Sequence, residues 1–396
     1  MGKLSTLITL VTSFLFMSGA VSAQSPAPIL IGLDADMSSG SAQSGEAIRR
    51  GIVLAIEDIN ATGGVLDRPV KLVVRDHRGN PARGNDNLLE LADMPDMVAV
   101  FSGIHTPVVL KELKTIHEKK LLFLVPWAAG TPIIDNDYQP NFVFRVSVRD
   151  QYAGAFLVDH AMSRGFKKLG LLFEQTGWGR SNERAVSTAL TDKNTDYAGI
   201  EWFSWGITDL SPHIERLRQK GADAILLVAN PKEGGVAVHS MAALDQESSL
   251  PIISHWGISG GNFFQNNQEA LSRIDFQFLQ TFSFFDPPDN EMADRLWQAY
   301  QNHFPETRTI GDVPSPVGTA HAYDLMKLLA VAIRQAGTTD RASIRDAMEN
   351  LPAVGGVMKH YDPPFTPAKH DALGPDSFIM ARYDDNGSII PAGVKP

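Results

Sequence analysis

Gly257-Ile258-Ser259-Gly260-Gly261 matches the Gly-x-Ser-x-Gly pattern of a nucleophile elbow and follows an apolar run, where a sharp strand-to-helix turn would expose the serine. Asp324 and then His360 or His370 follow in the order such hydrolases use. The surroundings weigh against that chemistry. Asn262-Phe263-Phe264-Gln265 starts a helix weakly, and no His-Gly-Gly-Gly oxyanion loop precedes the motif. His303, His321, His360 and His370 are scattered without metal-ligand spacing, and no phosphate-binding glycine loop or dinucleotide fingerprint occurs. No cofactor or metal is expected, and Asp384-Asp385-Asn386-Gly387 reads as a turn. A hydrolase acting through Ser259 is the minor reading.

Recognition chemistry is better represented. Trp127, Trp178 and Trp256 each stand in a loop just after an apolar run of strand length. Indoles at such positions give flat walls for aromatic or extended apolar ligands while keeping an N–H free to donate. His105 and His255 add donors or, when protonated, positive charge.

The compartment follows from the first twenty-three residues. Lys3 precedes an apolar stretch from Leu7 to Met17, and Val21-Ser22-Ala23 offers a cleavage site before Gln24. The stretch is short of the ~20 apolar residues that a membrane span needs, so it reads as a secretory leader. The chain carries a formal charge of −10, or −11 once Lys3 leaves with the leader. That balance argues against nucleic acid or an anionic membrane as partner. With no cysteine, neither disulfides nor thiolate metal sites contribute, and stability must come from large apolar cores. The expected location is the periplasm, with free secretion the lesser alternative.

Beyond the linker Ser25–Pro28, apolar runs alternate with segments of helical period. Ile29–Leu33, Val70–Arg75, Met97–Phe101, Leu121–Val125, Leu169–Phe173, Ala224–Val228 and Pro251–Ser254 read as buried strands, continuously apolar as parallel strands covered on both faces are. Gly45–Asn60, Asn80–Asp93, Thr106–Lys119, Asp150–Arg164, Arg180–Leu190, Leu210–Lys220 and Glu233–Leu244 supply the helices between them. The order predicts parallel α/β sheets with right-handed crossovers. Phe142–Val148 begins a second series of such units. The helical pattern Thr319–Gln335 lacks a strand partner nearby and so returns to the first series. A third crossing near Val357–Tyr361 completes two doubly wound lobes joined by three strands of chain. The expected division is 28–146 with 283–357 and 147–282 with 358–396, the ligand site lying in the cleft at the strand ends.

The order of motifs resembles the periplasmic leucine/isoleucine/valine-binding protein family, type I solute-binding proteins of ABC importers. The resemblance rests on Gln43–Glu46, Arg50–Asn60, Gly63-Gly64-Val65-Leu66, Val73–Asp76, Ser102–Thr106, Phe123–Pro126 with Ala128–Thr131, Phe142–Arg145, Trp178-Gly179 and Ala322-Tyr323-Asp324. It implies a two-lobe clamshell that is not an enzyme, acts as a monomer, closes on a small molecule and delivers it to an inner-membrane permease. It further implies that Thr106 and the backbone of Ala128, Ala129 and Thr131 hold a ligand carboxylate; His105 and Trp127, picked out above on their residue types, fall in the same loops. On the other lobe it points to Trp178, Asn230 and Trp256. There the pattern departs, because Trp256 takes the place of the acid that pairs with an amino-acid ammonium and Asn230 the place of a tyrosine. The expected ligand is a small carboxylate or amide, with an aromatic body as one option. A sensory role, delivering the ligand to a membrane receptor, is the alternative use of the same fold.

Overall fold

The computed structural model describes residues 26–393; the proposed leader lies outside the described residues. Five parallel strands, β1 (Ile29–Ala35), β2 (Val70–Asp76), β3 (Met97–Ser102), β4 (Leu122–Val125) and β5 (Val143–Arg145), form one sheet in the order β2-β1-β3-β4-β5. Between them run α1 (Ala42–Ala61), α2 (Pro81–Ala92), α3 (Thr106–Glu118) and the single turn α4 (Thr131–Ile134). The second sheet holds β6 (Leu169–Glu174), β7 (Tyr197–Phe203), β8 (Ala224–Val228), β9 (Ile252–Ser254) and β10 (Phe276–Gln280). Its helices are α5 (Asp150–Ser163), α6 (Gly177–Asp192), α7 (Ser211–Gln219), α8 (Pro231–Ala242) and α9 (Phe263–Leu271).

The chain then returns to the first lobe. Helices α10 (Asn290–His303), α11 (Pro316–Ala336) and α12 (Arg341–Met348) are followed by a small ribbon of β11 (Val354–Gly355) and β12 (His360–Tyr361). β13 (Ile379–Tyr383) and β14 (Ile389–Pro391) finish the second sheet, whose order is β14-β13-β10-β9-β8-β6-β7 with β13 and β14 antiparallel. Two doubly wound lobes result.

Burial explains the elements. β3, β4, β6 and β8 are buried at every residue, as parallel strands sandwiched by helices must be. On α1, Ile48, Ile52, Ala55, Ile56 and Ile59 form the buried stripe. Gly51 lets α11 approach closely, since a Cβ there would stand 2.2 Å from the Thr319 carbonyl oxygen. The late helix thus packs where the first series needs cover.

Among the elements not anticipated are β7, α10 and α12. β7 is a half-exposed edge strand in which Gly199 and Glu201 interrupt the apolar run. α10 and α12 bury only narrow stripes, Ala293, Leu296 and Tyr300 in one and Ile344, Ala347 and Met348 in the other. β5 ends at Arg145, short of the expected run Phe142–Val148. Phe365 and His370 pack on Phe144, and Asp371 bridges to Arg145, so the final return to the second sheet falls between Asp371 and Ile379, downstream of Val357–Tyr361. Among the described residues no helix is long and apolar enough to cross a membrane.

Candidate functional site

The carboxyl ends of both sheets face each other, and the loops that leave them meet along one seam. β3 leads into Ser102–Thr106 and β4 into Pro126–Thr131; β6 leads toward Trp178, β8 to Asn230 and β9 to His255 and Trp256. The seam is closed. The Trp127 and Trp256 rings lie 5.6 Å apart across it, His105 meets the edge of Trp205 at 5.9 Å, and Thr131 N–H donates to Ser181 Oγ at 3.0 Å. Ser315 Oγ also donates to the Ser259 carbonyl.

On the first lobe the backbone is aimed by a buried arginine. Arg145 is fully buried at the end of β5, pairs with Asp371 at 2.5 Å, and donates to the carbonyl oxygens of Gly130 at 2.9 Å and Ala128 at 3.3 Å. The Ala129 carbonyl accepts from Asp150 N–H at 2.9 Å. In a trans peptide the N–H points opposite to the carbonyl, so the amides of Ala129, Gly130 and Thr131 turn away from the hinge and toward the seam. The Gly130 amide reaches Thr106 Oγ1 at 3.2 Å, and a Cβ on Gly130 would stand 2.4 Å from Thr106 Cγ2. The Gly130 and Thr131 amides are therefore satisfied within the closed protein. Helix α3 begins at Thr106 without a side-chain cap; Pro107 has no N–H and the Val108 and Val109 amides donate to the His105 carbonyl, so the Thr106 N–H is the first-turn donor at the same spot.

The second lobe contributes side chains. Trp178 Nε1 donates to Asp150 Oδ1 at 3.1 Å, and its ring meets His255 edge-on at 5.0 Å. His255 Nδ1 accepts the Trp256 N–H at 2.9 Å, while its Nε2 lies 3.2 Å from Asp150 Oδ1 but outside hydrogen-bond geometry. Asp150 is fully buried and its Oδ2 has no partner. A buried carboxylate oxygen left bare is costly unless a ligand supplies the donor. Asn230 Nδ2 donates to Glu174 Oε2 at 3.1 Å. With His105, Asp36 and Trp205, Asn230 lines a cavity of about 270 Å³ at the mouth of the cleft.

The indoles pack more tightly than free walls would. A Cβ on Gly318 would stand 2.6 Å from Trp127, and one on Gly257 would stand 2.5 Å from Trp178. Trp127 Nε1 is buried and unpartnered, a donor held ready. Trp256 touches Trp127 and His321, both on the opposite lobe. All nine anticipated residues gather at the seam, and eight of them, all but Thr131, are buried.

Sequence reasoning overlooked Asp150, Glu174 and Trp205. Asp150 revises the expectation drawn from Trp256, because an acid does enter the cleft, from the first hinge crossing instead of from the loop after β9. Its signal was its place a few residues after Phe142–Arg145. Glu174 was visible as a charged end to an apolar strand.

The nucleophile reading fails on geometry. Ser259 is buried, donates to the Trp256 carbonyl at 2.8 Å and receives Gln280 Nε2 at 3.2 Å. Asp324 accepts from Val357 N–H, Met358 N–H and Tyr361 Oη, and His370 sits between the Val143 carbonyl and Glu349. None of these groups faces Ser259. Asp384 Oδ1 accepts from the Asn386 and Ser388 amides and closes the β13–β14 turn. Among the described residues no cluster of three or more His, Asp or Glu is arranged to hold a metal ion.

Comparison with known proteins matches this architecture. A family model described as periplasmic binding protein covers residues 28–387. A Leu/Ile/Val-binding protein homologue of Brucella melitensis is 22% identical, over 92% of this chain and 93% of its own. The branched-chain amino acid transporter substrate-binding protein LivJ of Streptococcus pneumoniae, solved with isoleucine, superposes with a TM-score of 0.78 at 19% identity, over 93% of this chain and 100% of that one. A solute-binding protein of an ABC transporter from R. palustris, solved with 4-hydroxybenzoate, gives 0.77 at 17% identity, over 93% and 96%. The chain thus belongs to the periplasmic binding protein family, as its resemblance to the Leu/Ile/Val-binding solute carriers of ABC transporters implied.

Proposed function

We propose that this chain is the solute-binding component of a branched-chain-amino-acid-type ABC importer, exported to the periplasm with residues 1–23 as its leader. On this reading the first lobe comprises residues 28–146 and 283–371 and the second 147–282 and 379–391, with the third crossing between them. The ligand is a small molecule with a carboxyl or amide end against Thr106 and the Ala128–Thr131 backbone and an N–H-bearing end against Asp150. The observation that carries this is the bare Asp150 Oδ2, buried beside Trp178 and His255. A simple aromatic acid would leave that oxygen unanswered, whereas an amide, amine or amino acid would not.

Mechanistically, the first lobe binds and the second completes the site. Contacts that exist only when both lobes meet, such as those of Trp256 and Thr131, favour the closed form and so link occupancy to closure. The closed form is the one presented to the permease. A thermal-shift screen of amino acids, amides, amines and aromatic acids, followed by calorimetry, tests the reading, because a ligand that binds the folded state alone raises apparent stability. Hits confined to N–H-bearing carbonyl compounds are the expected result. Preferential binding of simple aromatic acids would overturn the role given to Asp150.

A further inference from the structure

One carboxyl group stands behind the wall that the second lobe turns to the cleft. Glu174 ends β6 fully buried and receives Thr176 Oγ1 at 2.7 Å, Trp205 Nε1 at 3.2 Å and Asn230 Nδ2 at 3.1 Å. The Asn230 contact is unusual for its position. An asparagine at the N-cap of a helix ordinarily turns its oxygen onto a first-turn N–H, yet Asn230 caps nothing in α8. Its amide nitrogen is committed to Glu174, so Oδ1 remains for the cavity that Asn230 lines. Trp205 behaves alike, with its N–H drawn inward to Glu174 and its partly exposed ring presented to His105 on the other lobe.

Resting on the reading of the cleft as a ligand site, we propose that Glu174 is a positioning residue which sets the polarity of the second-lobe wall, turning the carbonyl oxygen of Asn230 toward the ligand and holding Trp205 against the opposite lobe only while ionised. The chemistry is a matter of donors and acceptors. A carboxylate accepts from all three neighbours at once; a carboxylic acid carries a proton of its own that needs an acceptor, and since Thr176 Oγ1 already accepts from the Trp178 and Gly179 amides, Asn230 supplies it by reversing its amide. Protonation therefore changes which end of Asn230 faces the cleft.

Burial pushes the Glu174 carboxyl up to about 7, against the pull of its three donors and with Glu233 on α8 adding repulsion. Lys232 on α8 faces the same cavity, as do Asp36, Arg78 and His105 from the first lobe, with His77 behind His105. Burial lowers His105 to about 4 and His77 to about 3, so neither changes form near neutral pH.

The test reads the free protein by nuclear magnetic resonance, with the six tryptophan indoles labelled with nitrogen-15 and Trp205→Phe assigning one of them. Between about pH 5.5 and about pH 8.5 the Trp205 N–H signal is expected to move with a midpoint near 7, and to stay still in Glu174→Gln. Asn230→Leu removes one donor to the ionised form and should raise that midpoint by about half a unit or more, which keeps the idea testable if Glu174→Gln does not fold. A Trp205 signal that does not titrate, a midpoint that survives Glu174→Gln, or a midpoint unmoved in Asn230→Leu overturns the proposal. Because no ligand is present, failure here leaves the cleft reading intact, and failure of the ligand screen leaves this titration intact.

Discussion

The two faces of the cleft are built from different materials. The first lobe offers main-chain amides, aimed by Arg145 through the carbonyls of Ala128 and Gly130 and backed by the uncapped start of α3. The second lobe offers side chains, with Asp150 at the crossing, held by Trp178 beside His255, and Asn230 held by Glu174. Backbone donors recognise a carboxyl or carbonyl group whatever it is attached to. Side-chain networks can be exchanged residue by residue without refolding the lobe. On the proposed reading, the first face would supply a grip common to many ligands and the second the choice among them.

That contrast can be broken most severely at Arg145. Arg145→Met leaves the buried Asp371 with only Arg149, and breaking such a pair costs about 3–5 kcal/mol. Urea unfolding should register that loss, and ligand affinity should fall with it because the Ala128–Thr131 carbonyls lose their anchor. A change of stability well below that range would deny Arg145 its part in shaping the loop.

The facing indoles give the next test. Trp127 packs on Gly318 of its own lobe, so Trp127→Ala should lose about 3–5 kcal/mol of folding stability as a large aromatic truncation does. The ring contacts of Trp256 with Trp127 and His321 run across the seam and vanish on opening. Trp256→Ala should therefore lose markedly less in unfolding while weakening ligand binding. Equal losses in the two variants would mean that Trp256 is core and not closure.

Acid provides a smaller perturbation with a definite sign. His321 is buried between Thr281 Oγ1 and the Pro126 carbonyl, and burial holds it down to about 4. The unfolded chain takes up that proton near its ordinary 6.5, so the contribution is full above 6.5 and is lost as pH falls toward 4. The loss is about 3 kcal/mol at the acid end, and His321→Gln should remove that part of the slope in urea midpoints measured across the range. Glu174 works oppositely. Its raised folded value makes its contribution greatest below about 4.5 and lost as pH climbs to about 7. An acid slope unchanged in His321→Gln would assign the effect to His77 or His105.

The mildest change is Trp178→Phe, which keeps the ring but strips Asp150 Oδ1 of its N–H donor. A loss of about 1–3 kcal/mol is expected for a buried acceptor left unpaired. If the ligand supplies the donor for Oδ2, binding should recover part of that loss, visible as a larger ligand-induced thermal shift in the variant than in the parent. A smaller shift would place the ligand away from Asp150.

The lobes themselves were largely legible. Continuously apolar runs such as Leu169–Phe173 and Ala224–Val228 read as parallel strands covered on both sides, and the structure places them side by side within the second sheet, each flanked by strands on both edges. β7 was not legible, because an edge strand with a solvated face needs neither an unbroken apolar run nor strict alternation. α10 and α12 stayed hidden because three buried residues on an otherwise polar helix leave a faint stripe.

For the site, the family resemblance pointed to Thr106, Ala128–Thr131 and Asn230, and residue type with place after a strand pointed to His105, Trp127, Trp178 and Trp256; these positions meet at the seam because loops at the carboxyl ends of parallel strands converge. Local sequence cannot say which way a side chain turns once two lobes meet. That Asp150 reaches the cleft from the hinge, that Asn230 gives its amide to Glu174 instead of capping α8, and that Trp256 stacks on the other lobe depend on partners 28 to 129 residues away, counted from Asp150–Trp178 to Trp127–Trp256. The sequence by itself determined the sheets, the family and the residues that line the seam, because burial and strand order follow from local pattern. Only the tertiary structure decided their hydrogen-bond partners, because burial forces each polar group to find its complement among whatever the fold brings near.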